Sequence, residues 1–172
     1  MDSKLLNPLF IKLSHLIFRV RKFQYKHLKK IAKETLNKKI LEIGSGPKSS
    51  KIFFDESNDF LCSDIEPEYG HPIVDVTTMT FDKEFDMVVC LSVLEHVFEF
   101  HRAIANMYKA LKDGGVLILS FPGYYPFHAE PHDYWRFTEH SIRRLLADFE
   151  EVKISHRGIR QYPFVYFIQA TK

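Results

Sequence analysis

One segment constrains this chain more than any other: Lys39-Ile40-Leu41-Glu42-Ile43-Gly44-Ser45-Gly46-Pro47, an apolar run ending in an acid and two closely spaced glycines. Aliphatic residues without polar alternation predict a strand covered on both faces. The glycines predict a tight turn at its carboxyl end, where a missing Cβ lets a nucleotide-like ligand reach bare backbone. Glu42 adds a carboxylate for a cationic or hydroxyl-bearing part of that ligand. A Gly-x-Gly turn alone does not say which ligand it serves.

Similar runs recur along the chain, and strands are predicted over 39–43, 59–64, 72–76, 85–91, 115–121, 151–157 and 163–171, the last two as a hairpin. Helical spacing marks 8–36, in one or two pieces, and 99–112, which Asp113-Gly114-Gly115 would stop. A third helix over 139–148 would be capped by Thr138. Strands alternating with helices predict a doubly wound α/β sheet. Only Ile65 to His71 separate the second and third strands, too few residues for a packed crossover helix. One sheet face should be thinly covered there, leaving a gap for the amino-terminal helix or a partner.

Charge divides the chain unevenly although its net formal value is only +2. Residues 1–35 hold nine Lys/Arg against Asp2 and Glu34, so the remainder is acidic. The expected organisation is a basic amphipathic helical arm over 1–36 and a single domain over 37–172. Packing on the body is the ordinary use of such a helix, with its basic side in water; the alternative is peripheral contact with an anionic membrane surface. Two cysteines, Cys62 and Cys90, each in a predicted strand, give no disulfide framework and favour a cytoplasmic setting. No amino-terminal run is apolar enough to span a membrane, and the acidic body argues against nucleic acid.

Two further acids lie at predicted strand ends. Asp64, twenty positions after Gly44, is placed to accept ribose hydroxyls, and Asp75 to reach an adenine amino group, with Ile65 and Val76 as apolar walls. Each has a plainer use: Asp75 caps the following turn, and Asp64 opens a loop.

The ordered set Ile40–Gly46, Asp64, Asp75, Phe85–Val97 and Leu111–Leu117 resembles class I S-adenosylmethionine-dependent methyltransferases of the small methyltransferase-11 type. The resemblance covers about residues 39–121. It implies a Rossmann-like, mostly parallel seven-stranded sheet with an antiparallel last strand, and S-adenosylmethionine as cofactor with S-adenosylhomocysteine as product. It places Glu42, Gly44, Ser45 and Gly46 beside the methionine part. Asp64 and Ile65 fall at the ribose, Asp75 and Val76 on the adenine side, and Leu91 just after the fourth strand. Two departures stand out. Lys48 replaces a frequent third glycine, and the helix between the second and third strands is missing.

The loop Phe121–Thr138 should overhang the ligand edge. It offers His132, then His128 and Asp133, as candidate bases, and Tyr124, Tyr134, Trp135 and Arg136 as acceptor-binding groups. Aromatic faces there suit sugars, and the loop is similar to those of bacterial methyltransferases of polysaccharide and glycolipid assembly. Bland alternatives are an aromatic roof over the core and an Arg136–carboxylate pair. No metal is expected, because Pro131 breaks the spacing of His128, Glu130 and His132. His96 reads as a packing residue.

The resulting expectation is methyl transfer to an oxygen or nitrogen of a small or sugar/glycolipid-like acceptor. The alternatives are a non-catalytic adenosyl-binding module recruited to membrane or RNA, and an NAD-dependent oxidoreductase. The latter is disfavoured by Ser49 where Gly-x-Gly-x-x-Gly needs its third glycine.

Overall fold

The structure is a computed structural model that describes residues 19–129 and 131–172. Residues 8–18 of the expected amino-terminal helix therefore lie outside the described residues. Helix α1 (Val20–Glu34) leads into β1 (Lys39–Ile43), followed by β2 (Asp59–Ser63), β3 (Phe85–Leu91), α2 (Phe100–Ala110), β4 (Leu111–Pro122), α3 (Glu139–Leu145), β5 (Glu151–Ile159) and β6 (Tyr162–Thr171). The sheet order is β2-β1-β3-β4-β6-β5. Strand β1 pairs in parallel with β2 and β3, and β3 with β4, whereas β6 runs antiparallel to both β4 and β5. This is the expected α/β arrangement with its antiparallel last strand.

Alternation along the central strands divides the core in two. Ile40, Met87, Val89 and Ile118 point to one face, where Leu28 and Ala32 of α1 cover them together with Phe54 and Phe60. Leu41, Val88, Cys90, Leu117 and Leu119 point to the other, under Ala103, Ile104 and Met107 of α2 and Ile142 of α3. The i, i+4, i+8 spacing of Gln24, Leu28 and Ala32 makes one buried stripe on α1. Burying a side chain such as Leu28 contributes roughly 2 kcal/mol, so α1 holds the sheet as much as the sheet holds it. Its lysines 22, 26, 29, 30 and 33 remain exposed.

Two expectations need correction. Residues 72–76 do not form a strand: only Ile73 pairs, in an isolated parallel bridge to Asp64. Pro72 has no N–H to donate and contributes only its carbonyl to Asp64 N, while Thr78 N and Met79 N fold back onto Asp75 O. The sheet therefore has six strands among the described residues, not seven. The second helix ends at Ala110 rather than at Asp113-Gly114, because Leu111 is fully buried and already paired with Phe85.

The short connection after β2 carries a single 3-10 turn, Pro67–Tyr69, and residues 65–70 are all exposed. Another 3-10 turn, Ser50–Phe53, stands where the first crossover helix would be. Helix α1 packs on this face in one cluster with residues of β1, β2, β3, β4 and β6.

Candidate active site

The glycine turn is organised from below by a buried acid. Glu42 accepts hydrogen bonds from Ser45 Oγ at 2.8 Å, Ser50 N at 2.9 Å and Ser49 Oγ. Its carboxylate is thus committed to holding the loop, a more local task than meeting ligand directly. Gly44 has φ +72°, and an added Cβ would stand 2.4 Å from Val93 Cγ2. Gly46 has φ +54° with open space where a Cβ would project. Asp64, at the carboxyl end of β2, accepts Gly46 N at 2.8 Å through Oδ2 and Glu66 N at 3.0 Å through Oδ1. Each carboxylate oxygen keeps a lone pair. His71 Nε2 closes the far side on Gly46 O at 2.9 Å.

Beside this turn, at the carboxyl ends of β3 and β4, lies a cavity of about 700 Å³. Val93 touches Gly44, while Ser92 and Glu95 line the cavity, so glycine turn and cavity share one short stretch of chain. Helix α1 runs back along the sheet into β1, which brings its amino-terminal residues Arg19, Arg21 and Lys22 to the same rim. Gln24 pins the helix there: its Nε2 donates to Ser92 Oγ and Ser120 Oγ, both at 2.7 Å.

Glu95 floors the cavity. It is 1% exposed, and its Oε2 has no hydrogen-bond partner among the described residues. Burial is the chief cause that pushes its carboxyl up to about 8, against a smaller opposing pull from Arg136 and Arg21. Two imidazoles flank it. His96 Nδ1 donates to His132 O at 2.8 Å, and His128 Nδ1 to Pro126 O at 3.2 Å. A carbonyl can only accept, so each neutral ring keeps its Nε2 lone pair. Burial, above all, lowers His128 and keeps it neutral. One ligand atom from each of Glu95, His96 and His128 falls within a 4.8 Å cluster.

The loop after β4 is clipped by an ion pair. Arg136 holds Asp133 with both arms, at 2.6 and 2.7 Å, and also donates to Tyr125 O and Pro126 O. His128 N donates to the same carboxylate at 2.8 Å. Burial alone would raise Asp133, but these hydrogen bonds and the nearby charges together hold it below the usual carboxylate range. Trp135 Nε1 donates to Val97 O, and its ring meets Phe98 and Phe100.

Residues 41–119 match the family described as Methyltransferase domain. Across the chain, the sequence is similar to the ubiquinone biosynthesis O-methyltransferase of Rickettsia akari, 27% identical over 67% of this chain and 49% of that protein. The chain thus spans about half the length of this curated relative. A SAM-dependent methyltransferase from Archaeoglobus fulgidus superposes with TM-score 0.69 at 16% identity, covering 96% of this chain and 100% of the other. One from Methanosarcina mazei gives 0.63 at 19% identity over 80% and 93%. The fold is that of S-adenosylmethionine-dependent methyltransferases, and the family match lies within residues 41–119.

The glycine turn offers space and hydrogen-bonding groups for an adenosyl cofactor. Bare backbone at Gly44 and Gly46, space beside Gly46, the Asp64 carboxylate and the exposed side chain of Ile65 adjoin one another. These residues would hold S-adenosylmethionine, which when bound supplies an activated methyl group on sulfur. Ser45 is buried and bonded to Glu42 and Ser63, so it shapes the turn from beneath. Asp75 caps the next turn through Thr77 N and Oγ1, its plainer use, and Val76 is buried in the core rather than forming an open wall. Leu91 is buried on the α1 side at the end of β3.

On the acceptor side, only His128 of the three candidate bases lines the cavity. His132 is exposed and bonds Tyr134 OH at 2.7 Å, and Asp133 is spent on Arg136. Arg136 is likewise occupied, because the buried carboxylate it clips is its proper partner. Tyr124 is exposed and shares a separate hollow of about 440 Å³ with Arg136. Tyr134 is exposed and Trp135 half-buried in the aromatic roof. Glu95 was not singled out from sequence. Its signal was an acid set between Val93-Leu94 and Val97 at the end of a buried strand.

Proposed function

We propose that this protein moves a methyl group from S-adenosylmethionine to an oxygen or nitrogen of a small or sugar/glycolipid-like acceptor held in the 700 Å³ cavity. The observation that carries this reading is Glu95, a buried acid with an orphan carboxylate oxygen, in a cavity lined by Ser92 and Glu95 on either side of Val93, the residue packed on Gly44. The Rickettsia relative is named for O-methylation, which supports oxygen as the nucleophile. The aromatic residues Tyr125 and Phe164 in the cavity lining support a planar or saccharide acceptor.

In this reading the protein's work is alignment and water exclusion, because the methyl donor is already activated. Glu42 and Asp64 hold the glycine turn, and the Asp133–Arg136 clip holds the His128 loop over the cavity. Protonated Glu95 donates to, or ionised Glu95 accepts from, the acceptor's hydroxyl. His128 takes the acceptor's proton at Nε2, the lone pair that its Nδ1–Pro126 bond leaves free. The exposed lysines of α1 support peripheral contact with an anionic membrane surface, although among the described residues no helix is long and apolar enough to cross one.

Calorimetry with S-adenosylhomocysteine tests the donor side. The native protein is expected to bind it and Asp64→Ala to lose it; equal binding by both proteins rejects the Asp64 assignment. Formation of S-adenosylhomocysteine with a panel of sugars, glycolipids and phenols tests the acceptor side. Turnover with none of them counts against this acceptor class.

A further inference from the structure

The acceptor cavity is more positively charged than its floor suggests. Arg19, Arg21 and Lys22 line it and are exposed, and among the described residues none of the three pairs with a carboxylate. Opposing charge would have to come from Glu95, whose burial keeps it largely protonated at neutral pH. His96 and His128 add no negative charge. Arg136, the cation expected to greet an acceptor, is consumed by Asp133 and two backbone carbonyls. Arg21 lines the cavity together with Glu95 and Tyr125. A net charge of +2 for the whole chain makes three unpaired cations at one rim a local concentration, and a cleft focuses such a field.

Two unsatisfied features therefore share this cavity: a cationic rim and a buried carboxyl oxygen lacking a hydrogen-bond partner. A ligand answering both carries an oxyanion and a hydroxyl. Two guanidiniums and an ammonium match a phosphate ester better than a carboxylate, because arginine pairs with phosphate oxygens in bidentate fashion and the charge is nearer two.

We propose that the acceptor of this methyltransferase is a phosphate ester, its phosphate held by Arg19, Arg21 and Lys22 and its hydroxyl directed to Glu95. The proposal rests on the methyl-transfer reading of the cavity and names its substrate class. The phosphate belongs either to a soluble sugar phosphate or to a lipid headgroup.

The test first saturates the full chain with S-adenosylhomocysteine; failure of that step rejects the methyl-transfer reading itself. Glucose 1-phosphate is then compared with methyl glucoside by calorimetry at fixed ionic strength, and phosphatidic acid vesicles with phosphatidylcholine vesicles by sedimentation. One phosphate-bearing probe is expected to bind at least tenfold tighter than its neutral counterpart, and the arm that responds identifies the source. A variant combining Arg19→Gln, Arg21→Gln and Lys22→Gln should lose that tenfold while binding S-adenosylhomocysteine unchanged. Its three sites are exposed, so its thermal unfolding should match the native protein. The control Lys26→Gln/Lys29→Gln/Lys33→Gln removes equal charge farther along α1 and should lose little. Equal binding of neutral and phosphate probes, no loss in the rim variant, or equal loss in the control overturns the proposal.

Discussion

At the scale of single residues, the two glycines of the turn make different predictions. Gly44→Ala places a Cβ against Val93 in a left-handed backbone, so it should cost about 2–4 kcal/mol of stability in denaturant unfolding. Gly46→Ala has the same backbone strain but meets nothing, so it should cost only about 1 kcal/mol. Its larger effect should appear in calorimetry, as lost S-adenosylhomocysteine affinity, because the added methyl enters the ligand's space. Glu95 sets a pH dependence of opposite sign to that of an ordinary carboxylate. Its folded value of about 8 lies above the ordinary glutamate value of about 4.5, so the folded protein holds the extra proton between them. Stability should therefore be full below about pH 4.5 and fall as pH rises toward 8, by about 1.4 kcal/mol per pH unit at the steepest. Thermal unfolding of Glu95→Gln should lack this decline and match the native protein most nearly at low pH. An identical decline in both proteins would assign it to other groups.

At the scale of elements, the loop after β4 hangs on one ion pair. Asp133→Asn leaves Arg136 without its carboxylate and should cost roughly 2–4 kcal/mol, with faster amide exchange at His128, whose N–H bonds the same side chain. Because Asp133 is held below the usual range, its contribution is present above pH 4 and lost as pH falls through its folded value. Sequence made the elements with unbroken apolar runs legible: β1 and β3 stand at their expected bounds and the closing hairpin close to them, whereas β4 begins four residues early, at Leu111. Residues 72–76 misled because Val74 and Val76 resemble a strand, yet Pro72 and the turn at Asp75 leave one bridge. The Asp133–Arg136 pair was visible as an i, i+3 spacing, but its burial, which decides that it is structural, depends on Trp135 and Tyr125 folding around it. Glu95 was hidden for a similar reason. Nothing in Leu94-Glu95-His96 says that α1, sixty residues earlier in the chain, closes the space above it.

At the scale of the whole molecule, α1 is the one full helix covering its face of the sheet among the described residues. A chain beginning at residue 37 would expose Ile40, Phe60, Met87, Val89 and Ile118 together, a patch that a soluble domain seldom tolerates. That fragment should bind ANS strongly and lack a cooperative thermal transition; cooperative unfolding would establish 37–172 as a self-sufficient domain. Gln24 adds specificity to this packing. Gln24→Ala removes the donor shared by Ser92 and Ser120 and should cost about 1–3 kcal/mol. It should also slow methyl transfer, because Ser92 carries the strand end that joins turn to cavity.

The course of α1 also dictates how the molecule can be handled. Arg19, just ahead of α1, stands at the cavity's rim, whereas Lys172 is tied at the opposite pole, with its N–H on Gly115 O and its Nζ on Leu111 O. A bulky fusion or surface tether placed ahead of α1 would crowd the entrance. The same tether behind Lys172 would leave it facing open solution, so immobilised assays should be oriented by the carboxyl end.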